Sequence, residues 1–377
     1  MYGCYCKYSF FMNLDLSRRA YQHPALRLAL LLALLYLFFV SIALMSSSIK
    51  FFGKGFAEQL LTTTSSPFVG LMIGIIATSL VQSSSTTTSM IVGLVAAGAL
   101  NLQGAIPMVM GANVGTSVTN TLVSLAQVAR PHEFKRAFAA ATVHDFFNLM
   151  AIIILFPIQV MTNYLGIAAG FLTTIFSELG GLSVTNPLKA ATAPAVQLIE
   201  YLAKGSGTIM LVIAGVLLYV SLRYMVLVLK SLVIGTVQTV FSEQLFRNAG
   251  TAFIVGLMFT LLVQSSSITT SMAVPLAAAG ILTIHQIFPM TLGANVGTTV
   301  TAILASLVTG NAIAVTAAFS HLVFNIAGII LIWPMKSVPI TMAEALAGLA
   351  VRYRFVPVMY VGVVFFAIPL AGIYLGG

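Results

Sequence analysis

A polar passage of forty residues occurs twice in this hydrophobic chain. Residues 80–119 and 262–301 align at a constant offset of 182 without a gap, and 26 of the 40 positions are identical. Both copies begin with Leu-Val-Gln-Ser-Ser-Ser and end with Gly-Ala-Asn-Val-Gly-Thr, one further residue and Val-Thr. A fold for this chain must therefore hold two equivalent polar breaks in apolar surroundings. Such a pair of breaks indicates the binding site of a transporter.

The composition places these breaks within a membrane. Of the 377 residues, 59% are hydrophobic and only 7% are charged, with a mean hydropathy of +1.05. Soluble domains carry about a quarter charged residues, so this chain is not an ordinary water-soluble globule. A helix needs about 20 apolar residues to cross ~30 Å of hydrocarbon. The spans predicted on this basis are 26–48, 104–128, 137–159, 207–229, 313–335 and 355–375.

The positive charge of the chain follows the ends of these spans. The net charge is +9, but the basic residues form no dense patch, so nucleic-acid binding is not indicated. Arg18 and Arg19 precede the first span and favour a cytoplasmic N-terminus, while other basic residues are placed to meet lipid headgroups of the bilayer. The only cysteines, Cys4 and Cys6, lack a second pair or a histidine cluster that would complete a metal site.

The duplication organises the whole chain. Apolar stretches of about fifteen residues beside each Gln-Ser-Ser-Ser are too short for two full spans, and they predict a hairpin that enters and leaves by one face. We expect an all-α polytopic membrane protein with two inverted structural repeats, each with a re-entrant helical hairpin and a broken transmembrane helix. The regions are an N-terminal cytoplasmic tail (1–25), a first repeat (26–165), a connector (166–206), a second repeat (207–335), and a C-terminal amphipathic segment with a terminal span (336–377).

The Gln-Ser-Ser-Ser segments have the chemistry of an anion site. Serine is a good helix N-cap, and the first turn of the following helix has unpaired N–H groups at the positive end of the helix dipole. Two such helix starts facing each other would cradle an anion without any lysine or arginine. Gln82 and Gln264 add side chains that donate or accept. The ligand that these groups match is a small tetrahedral oxyanion.

The Gly-Ala-Asn-Val-Gly-Thr segments suit a cation instead. Their glycines permit local unwinding, which would free backbone carbonyls, and neutral oxygens come from Asn113, Thr116, Asn295 and Thr298. Unwound carbonyls and neutral oxygens coordinate Na⁺ in transporters of this kind. Small polar residues also mediate close helix packing in membranes. Eight consecutive polar residues in the first copy, seven of which are also polar in the second, favour the functional interpretation.

Asp145 breaks the symmetry between the two copies. His144-Asp145-Phe-Phe-Asn148 in the first half matches His321-Leu322-Val-Phe-Asn325 in the second, at an offset of 177. An ionised group inside a span is costly and usually marks function, so we interpret Asp145 as an added cation site. Pairing with Arg136 or His144 is the structural alternative. Both histidines are expected to form hydrogen bonds in the bundle rather than to bind a metal.

At these residues the sequence resembles the type II sodium–phosphate cotransporter family. The resemblance rests on the duplicated Gln-Ser-Ser-Ser, on Gly111 to Asn120, on Glu133-Phe-Lys-Arg-Ala-Phe138, and on Ala141 to Asn148, and it covers most of 60–335. It implies electrogenic import of inorganic phosphate with Na⁺ as the coupling ion, by alternating access and without a cofactor. No catalytic elbow or Walker motif appears, so an enzyme is not expected.

The resemblance also assigns roles to individual residues. The phosphate-binding set that it implies is Gln82, Ser83, Ser84, Ser85, Ser265, Ser266 and Ser267. The sodium-binding set is Asn113, Thr116, Gln264, Ser265, Asn295, Thr298, Asp145 and Asn148. Arg130 is a further candidate beside phosphate, and Asn325 is a candidate without an assigned ligand. Just before Glu133 the family tends to have an Asp-Arg pair, whereas this chain has Ala129-Arg130-Pro131. One cation contact that the resemblance would imply is therefore not assigned here.

Three alternatives to sodium–phosphate symport stay open at the level of sequence. They are Na⁺-coupled transport of another oxyanion or carboxylate, a non-transporting scaffold, and a passive channel. The large glycosylated loop between the halves of animal members is absent here, which indicates a multi-pass protein of a bacterial inner membrane. The sequence does not decide the oligomeric state, and a homodimer is compatible with it.

Overall fold

The computed structural model describes residues 24–52, 66–181, 185–233, 246 and 248–376, and this part of the chain is helical throughout. The first half contains α1 (Pro24–Lys50), α2 (Pro67–Val81), α3 (Ser84–Ala96), α4 (Leu102–Gly115), α5 (Val118–Ser124) and α6 (Pro131–Thr162). The connector contains α7 (Tyr164–Glu178) and α8 (Thr185–Leu202). The second half contains α9 (Gly207–Val233), α10 (Ala249–Val263), α11 (Ser266–Ala278), α12 (Ile284–Thr309) and α13 (Ala312–Ile332). The C-terminal region contains α14 (Ser337–Arg352), α15 (Val356–Gly362), a π-helical turn (Val363–Ala367) and α16 (Ile368–Gly376).

Six helical segments in the described part are long and apolar enough to cross a membrane: Ala25–Ile49, Pro131–Thr162, Gly207–Leu229, Ile284–Thr309, Ala312–Met335 and Val356–Gly376. The all-α polytopic prediction and five of the predicted spans are confirmed. The predicted span 104–128 is instead divided between α4 and α5. The predicted connector is largely helical, since α7 and α8 occupy most of it. The tail residues Cys4, Cys6, Arg18 and Arg19 lie outside the described residues.

The two polar breaks have nearly the same backbone geometry. Helix α2 ends at Val81 and Gln82 adopts a left-handed conformation (φ 56°), while α10 ends at Val263 and Gln264 does the same (φ 56°). The next residues, Ser83 and Ser265, are extended and serve as N-caps of α3 and α11. The duplicated sequence therefore folds twice into the same helix–turn–helix pair.

Glycines allow the first helix of each pair to contact the helix that follows the pair. A Cβ atom on Gly74 of α2 would overlap the backbone carbonyl of Met108 in α4, and one on Gly256 of α10 would overlap that of Met290 in α12. Gly111 and Gly293 approach the facing helix backbones in the same way. Small residues let helix backbones approach closely in membranes. These contacts fix α2 on α4 and α10 on α12.

The prediction of a broken transmembrane helix in each half is wrong for the second half. In the first half α4 ends at Gly115 and α5 begins at Val118, whereas α12 runs without interruption through Gly293 and Gly297. Packing of this glycine does not cause the difference, since Gly297 lies against Thr260 of α10 and Gly115 lies against Thr78 of α2 in the same way. Glycine permits an irregular backbone but does not require one.

The two halves are interlocked rather than side by side. Helix α3 of the first pair packs on α12 and α13, α11 of the second pair packs on α5 and α6, and α1 packs along α9. The C-terminal region completes the bundle, because α14 packs on α6 and α16 packs on α2. The polar turns thus come to lie between the halves.

We expect Gly74→Ala and Gly256→Ala each to destabilise the protein by about 1–3 kcal/mol, because the added methyl group must displace a packed backbone. The measurement is the midpoint of thermal unfolding of the detergent-purified protein. Gly215→Ala in α9 is the matched control, since its new methyl group meets nothing within 4 Å. Equal shifts for Gly74→Ala, Gly256→Ala and the control would contradict the packing explanation.

Candidate functional site

The two Gln-Ser-Ser-Ser turns meet in the interior. The Oγ atom of Ser85 at the start of α3 donates to the backbone oxygen of Gln264 just before α11, at 3.3 Å. Ser84, Ser85, Ser266 and Ser267 are all buried. Two helix N-termini from different halves are therefore brought together, as the sequence predicted for an anion cradle.

Several hydroxyl groups at this junction have no partner in the described part of the chain. Ser83 accepts from the backbone N–H of Thr86 at 3.2 Å, and Ser265 accepts from that of Ile268 at 3.4 Å, so these two serve as caps. The side chains of Ser84, Ser266 and Ser267 form no hydrogen bond there. These hydroxyl groups lie at the positive ends of helices, where they can donate to an anion.

The asparagines of the Gly-Ala-Asn-Val-Gly-Thr segments join the two halves. Asn113 Nδ2 donates to Asn325 Oδ1 at 2.8 Å, and Asn295 Nδ2 donates to Asn148 Oδ1 at 2.9 Å. Each asparagine of a duplicated segment thus bonds to the His-x-x-x-Asn motif of the other half. We call these four asparagines the asparagine clasp. The contacts include all three of the predicted residues Asn113, Asn148 and Asn295, together with the candidate Asn325.

Two histidines complete the asparagine clasp. His144 Nε2 lies 2.6 Å from Asn295 Oδ1, and His321 Nε2 lies 2.8 Å from Asn113 Oδ1. Because each asparagine oxygen accepts, each imidazole donates from Nε2. The predicted hydrogen bonding of these histidines is confirmed. Both Nδ1 atoms are buried and have no hydrogen-bond partner in the described part.

The threonines of the same segments keep oxygen lone pairs available. Thr116 Oγ1 donates to the carbonyl of Ala112, and Thr298 Oγ1 donates to that of Ala294, both at 3.0 Å. Both side chains are buried. A hydroxyl group that donates to its own helix still presents its oxygen as an acceptor. These two oxygens can therefore face a cation.

Asp145 is fully buried in α6, and no cationic side chain among the described residues pairs with it. The hydroxyl group of Tyr360 donates to Oδ2 at 3.1 Å, whereas Oδ1 is buried and has no hydrogen-bond partner in the described part of the chain. The hydroxyl groups of Ser117 and Thr121 lie close to the carboxylate. The alternatives of pairing with Arg136 or His144 are not adopted, since both side chains bond elsewhere. A buried carboxylate among hydroxyl groups has the donor set of a hard cation site.

Three residues near Asp145 were not singled out from the sequence. Tyr360 and Thr121 adjoin the carboxylate. Asn120 Nδ2 donates to Thr270 Oγ1 at 2.8 Å, and its Oδ1 accepts from Ser271 at 2.8 Å, which ties α5 to α11. The aligned position to Asn120 in the second half is Ala302. Comparison of the repeats alone could have flagged Asn120, because it differs between them as Asp145 does.

The glutamines differ between the two halves. Gln264 Oε1 accepts from Thr301 Oγ1 at 2.7 Å, and Gln264 Nε2 donates to the carbonyl of Leu261 at 2.6 Å. In the first half, Gln82 is exposed, and Oγ1 of Thr119, which aligns with Thr301, is buried without a partner among the described residues. The glutamine and threonine are hydrogen-bonded to each other in the second half, which we call the closed pair, and are not bonded in the first half, which we call the open pair.

Arg130 lies away from this buried cluster. It is the N-cap residue of α6, its side chain is 72% exposed, and it forms an ion pair with Glu133 at 3.1 Å. A different arginine contacts a helix of the other pair, since Arg136 Nε donates to the carbonyl of Ala278 at 3.0 Å. At the equivalent place in the other half, Asn311 Nδ2 donates to the carbonyl of Ala96 at 3.3 Å. The far end of each helix pair is thus capped by the other half.

Comparison with known proteins matches both halves to one family model. The model described as Na⁺/Pi-cotransporter covers residues 37–184 and 217–370, which include both polar turns and the asparagine clasp. The chain belongs to this family. The resemblance read from Gln-Ser-Ser-Ser and Gly-Ala-Asn-Val-Gly-Thr is confirmed.

Curated relatives are similar along most of the chain. The human sodium-dependent phosphate transport protein 2B is 34% identical over 93% of this chain and 66% of its own length. The mouse sodium-dependent phosphate transport protein 2A is 35% identical over 93% of this chain and 68% of its own length. The chain therefore spans about two thirds of the length of these relatives. No solved structure gave a significant match.

We expect the asparagine clasp to contribute to stability between the halves. In a double-mutant cycle, Asn113→Ala and His321→Ala should be non-additive by roughly 0.6 kcal/mol and at most about 1.7 kcal/mol, the range for hydrogen bonds inside membrane proteins. The measurement is equilibrium unfolding in mixed micelles. Asn113→Ala with Thr192→Ala is the control pair, because Thr192 bonds only to carbonyls of its own helix α8. Additivity of the Asn113–His321 pair would contradict a direct contribution.

Proposed function

We propose that the chain imports inorganic phosphate together with Na⁺ as a secondary active symporter. The observation that carries the proposal is the meeting of two helix N-termini at the contact between Ser85 and Gln264, with unpartnered serine hydroxyl groups around it. The proposal is supported by membership of the family and by relatives named as sodium-dependent phosphate transport proteins. A tetrahedral anion satisfies several helix-terminal N–H and hydroxyl donors at once.

In this proposal the predicted residues divide into two sets. Phosphate is held by serines and by Gln82 at the starts of α3 and α11. Sodium is held by oxygens of Gln264, Ser265, Thr116 and Thr298 and by the asparagine clasp. The clasp asparagines bond to one another in this structure, so Na⁺ must replace some of these hydrogen bonds when it binds. Neutral oxygens in a site shielded from lipid suit Na⁺.

The arrangement of contacts supports inverted repeats with re-entrant helix pairs. The turns of the two pairs touch each other, while the end of α3 meets Asn311 before α13 and the end of α11 meets Arg136 of α6. Pairs that enter from opposite faces and meet near the midplane would make these contacts. With a cytoplasmic N-terminus, α1 leads outward, α4 with α5 leads inward, and α6 begins inside at its basic end, in accordance with the positive-inside rule. We propose a bacterial inner membrane as the location.

The difference between the glutamine–threonine pairs supports alternating access. The pair Gln264–Thr301 is closed, whereas Gln82 is exposed and Thr119 is unpartnered. Two equivalent elements in different states are what a transporter built from inverted repeats has when one side is open. In the proposed cycle the first pair closes as the second opens. This change would switch access to the phosphate site from one face of the membrane to the other.

We expect Ser84→Ala and Ser266→Ala each to raise the KM for phosphate by about tenfold or more, since each removes a donor to a charged ligand. The measurement is uptake of labelled phosphate into proteoliposomes with an inward Na⁺ gradient. Ser221→Ala is the matched control, because that buried hydroxyl group bonds only to the carbonyl of Leu218 in α9.

The same assay separates the proposed symport from its alternatives. Uptake that persists without Na⁺ would contradict coupling and favour a channel. Uptake of sulfate or a dicarboxylate in preference to phosphate would change the assigned substrate. If neither serine variant differs from Ser221→Ala while phosphate uptake is intact, the serines do not bind the anion.

We expect Asp145→Asn to reduce the charge moved per phosphate by one elementary charge while uptake continues. The carboxylate is the group that would hold an additional Na⁺, and each charge carried across 100 mV contributes about 2.3 kcal/mol to accumulation. The measurement is the reversal potential of phosphate-dependent current in proteoliposomes. Glu178→Gln, an exposed acid at the end of α7, is the control. An unchanged reversal potential for Asp145→Asn would refute electrogenic coupling through this residue.

A further inference from the structure

A cavity with several basic side chains in its walls lies at the other end of α11 from the Gln-Ser-Ser-Ser turn. Its volume is about 650 Å³, and its walls come from the start of α6, the end of α11, the start of α12 and α14. Helix α11 runs from Ser266 to Ala278, which at 1.5 Å per residue separates the cavity from the start of α11 by about 18 Å. We call it the basic cavity. It is too far away to be part of the proposed transport site.

Positive charge predominates among the side chains of the basic cavity. Lys135, Arg136 and His285 line it, and Glu344 is the one acid among its described lining residues. Lys135 and His285 are exposed and have no hydrogen-bond or ion-pair partner in the described part of the chain. Glu344 likewise forms no ion pair with these groups, so the three basic side chains outnumber a single acid.

Arg136 is fixed in position within the basic cavity. Its Nε donates to the carbonyls of Ala277 and Ala278 at 3.1 and 3.0 Å, and its Nη2 also donates to Ala278. These are the last carbonyls of α11, where a cation is favourable. The Nη1 group has no hydrogen bond in the described part. The guanidinium group of Arg136 is thus held in place by the end of α11, and its Nη1 group remains available to donate to an anion.

The start of α12 adds backbone donors to the same cavity. Thr283 is the N-cap and takes part in a capping box with Gln286, and both Thr283 and Ile284 line the cavity. The capping box occupies the N–H groups of Thr283 and Gln286, so the donors left at this positive helix end are the N–H groups of Ile284 and His285. Lysine, arginine and a helix N-terminus together make the combination that binds phosphate groups in proteins.

The repeated fold does not require these basic residues. By the alignment of the two halves, Lys135 and Arg136 correspond to Ala312 and Ile313, and His285 corresponds to Gln103. The corresponding place in the other half therefore has the same architecture without the charge. The basic cavity is an addition to one half only.

We propose that the basic cavity binds a phosphate group, carried by an anionic phospholipid or by free phosphate. Leu282 and Ile284 supply apolar wall beside the cations, which matches a headgroup joined to acyl chains. Basic pockets between membrane helices bind such headgroups on the cytoplasmic side. The same cations attract free phosphate as it leaves or approaches the transport path. Both ligands present the same chemistry to the cavity.

The test measures both probes on the full chain in nanodiscs. Native mass spectrometry counts the phosphatidylglycerol retained from a mixture with phosphatidylcholine. Equilibrium binding of labelled phosphate is measured in phosphatidylcholine alone and without Na⁺. The variant Lys135→Gln with His285→Gln should weaken binding of at least one probe by about tenfold. Arg130→Gln is the matched control, because it removes a positive charge at the same helix end outside the cavity.

The two probes distinguish the source of the phosphate group. Loss of phosphatidylglycerol alone assigns the cavity to lipid, and loss of free phosphate alone assigns it to the substrate. Glu344→Gln removes the one acid among the described lining residues and should strengthen the binding of the same probe, which keeps the test decisive if the double variant folds poorly. The proposal is overturned if the double variant and Glu344→Gln bind both probes as Arg130→Gln does. Sodium-driven uptake is not part of either readout, so failure here leaves the proposed transport function untouched.

Discussion

The asparagine clasp is the interaction on which the rest of this fold depends. Its four buried amides, together with the Nε2 groups of two buried imidazoles, form hydrogen bonds across the two halves, and no amide of the clasp is satisfied within its own half alone. In a bilayer there is no water to take the place of a missing partner. Burial of these amides therefore requires that both halves be present and packed together. At the far ends of the helix pairs, the side chains of Arg136 and Asn311 likewise donate to backbone carbonyls of the opposite half.

This mutual satisfaction also constrains how the protein can move. A motion that separates the halves would leave several buried groups unpartnered at about 1–3 kcal/mol each. A motion that exchanges one set of partners for an equivalent set avoids most of that cost. The open pair Gln82–Thr119 and the closed pair Gln264–Thr301 have the same composition, so the sequence already contains both sets. In the proposed cycle the exchange is between copies, and Na⁺ takes the place of the clasp hydrogen bonds that it displaces.

Much of the architecture followed from the sequence, because apolar length and duplication are local properties of the chain. The helix pairs at Gln82 and Gln264 and most spans could be predicted in this way. The continuous α12 could not, because Gly293 and Gly297 have the same sequence pattern and the same close helix contacts as Gly111 and Gly115, where α4 ends. Tyr360 beside Asp145 was missed because no counterpart of α15 exists in the repeats to align it with. The partners of Asn113 and Asn295 could not be predicted either, because they lie in the other half of the chain.

The asymmetric residues suggest how sodium and phosphate are linked in the proposed mechanism. Asp145 lies beside α5, and Asn120 of α5 bonds to Thr270 and Ser271 in α11, whose start carries Ser266 and Ser267. A carboxylate without a cation near this helix opposes an anion at the helix start, because charges in a low-dielectric interior interact strongly. A sodium ion on Asp145 removes that opposition. By linkage, phosphate then strengthens the binding of sodium by the same factor. The duplicated scaffold supplies neutral donors on both sides, and one unpaired acid in one half is enough to make the two ligands depend on each other.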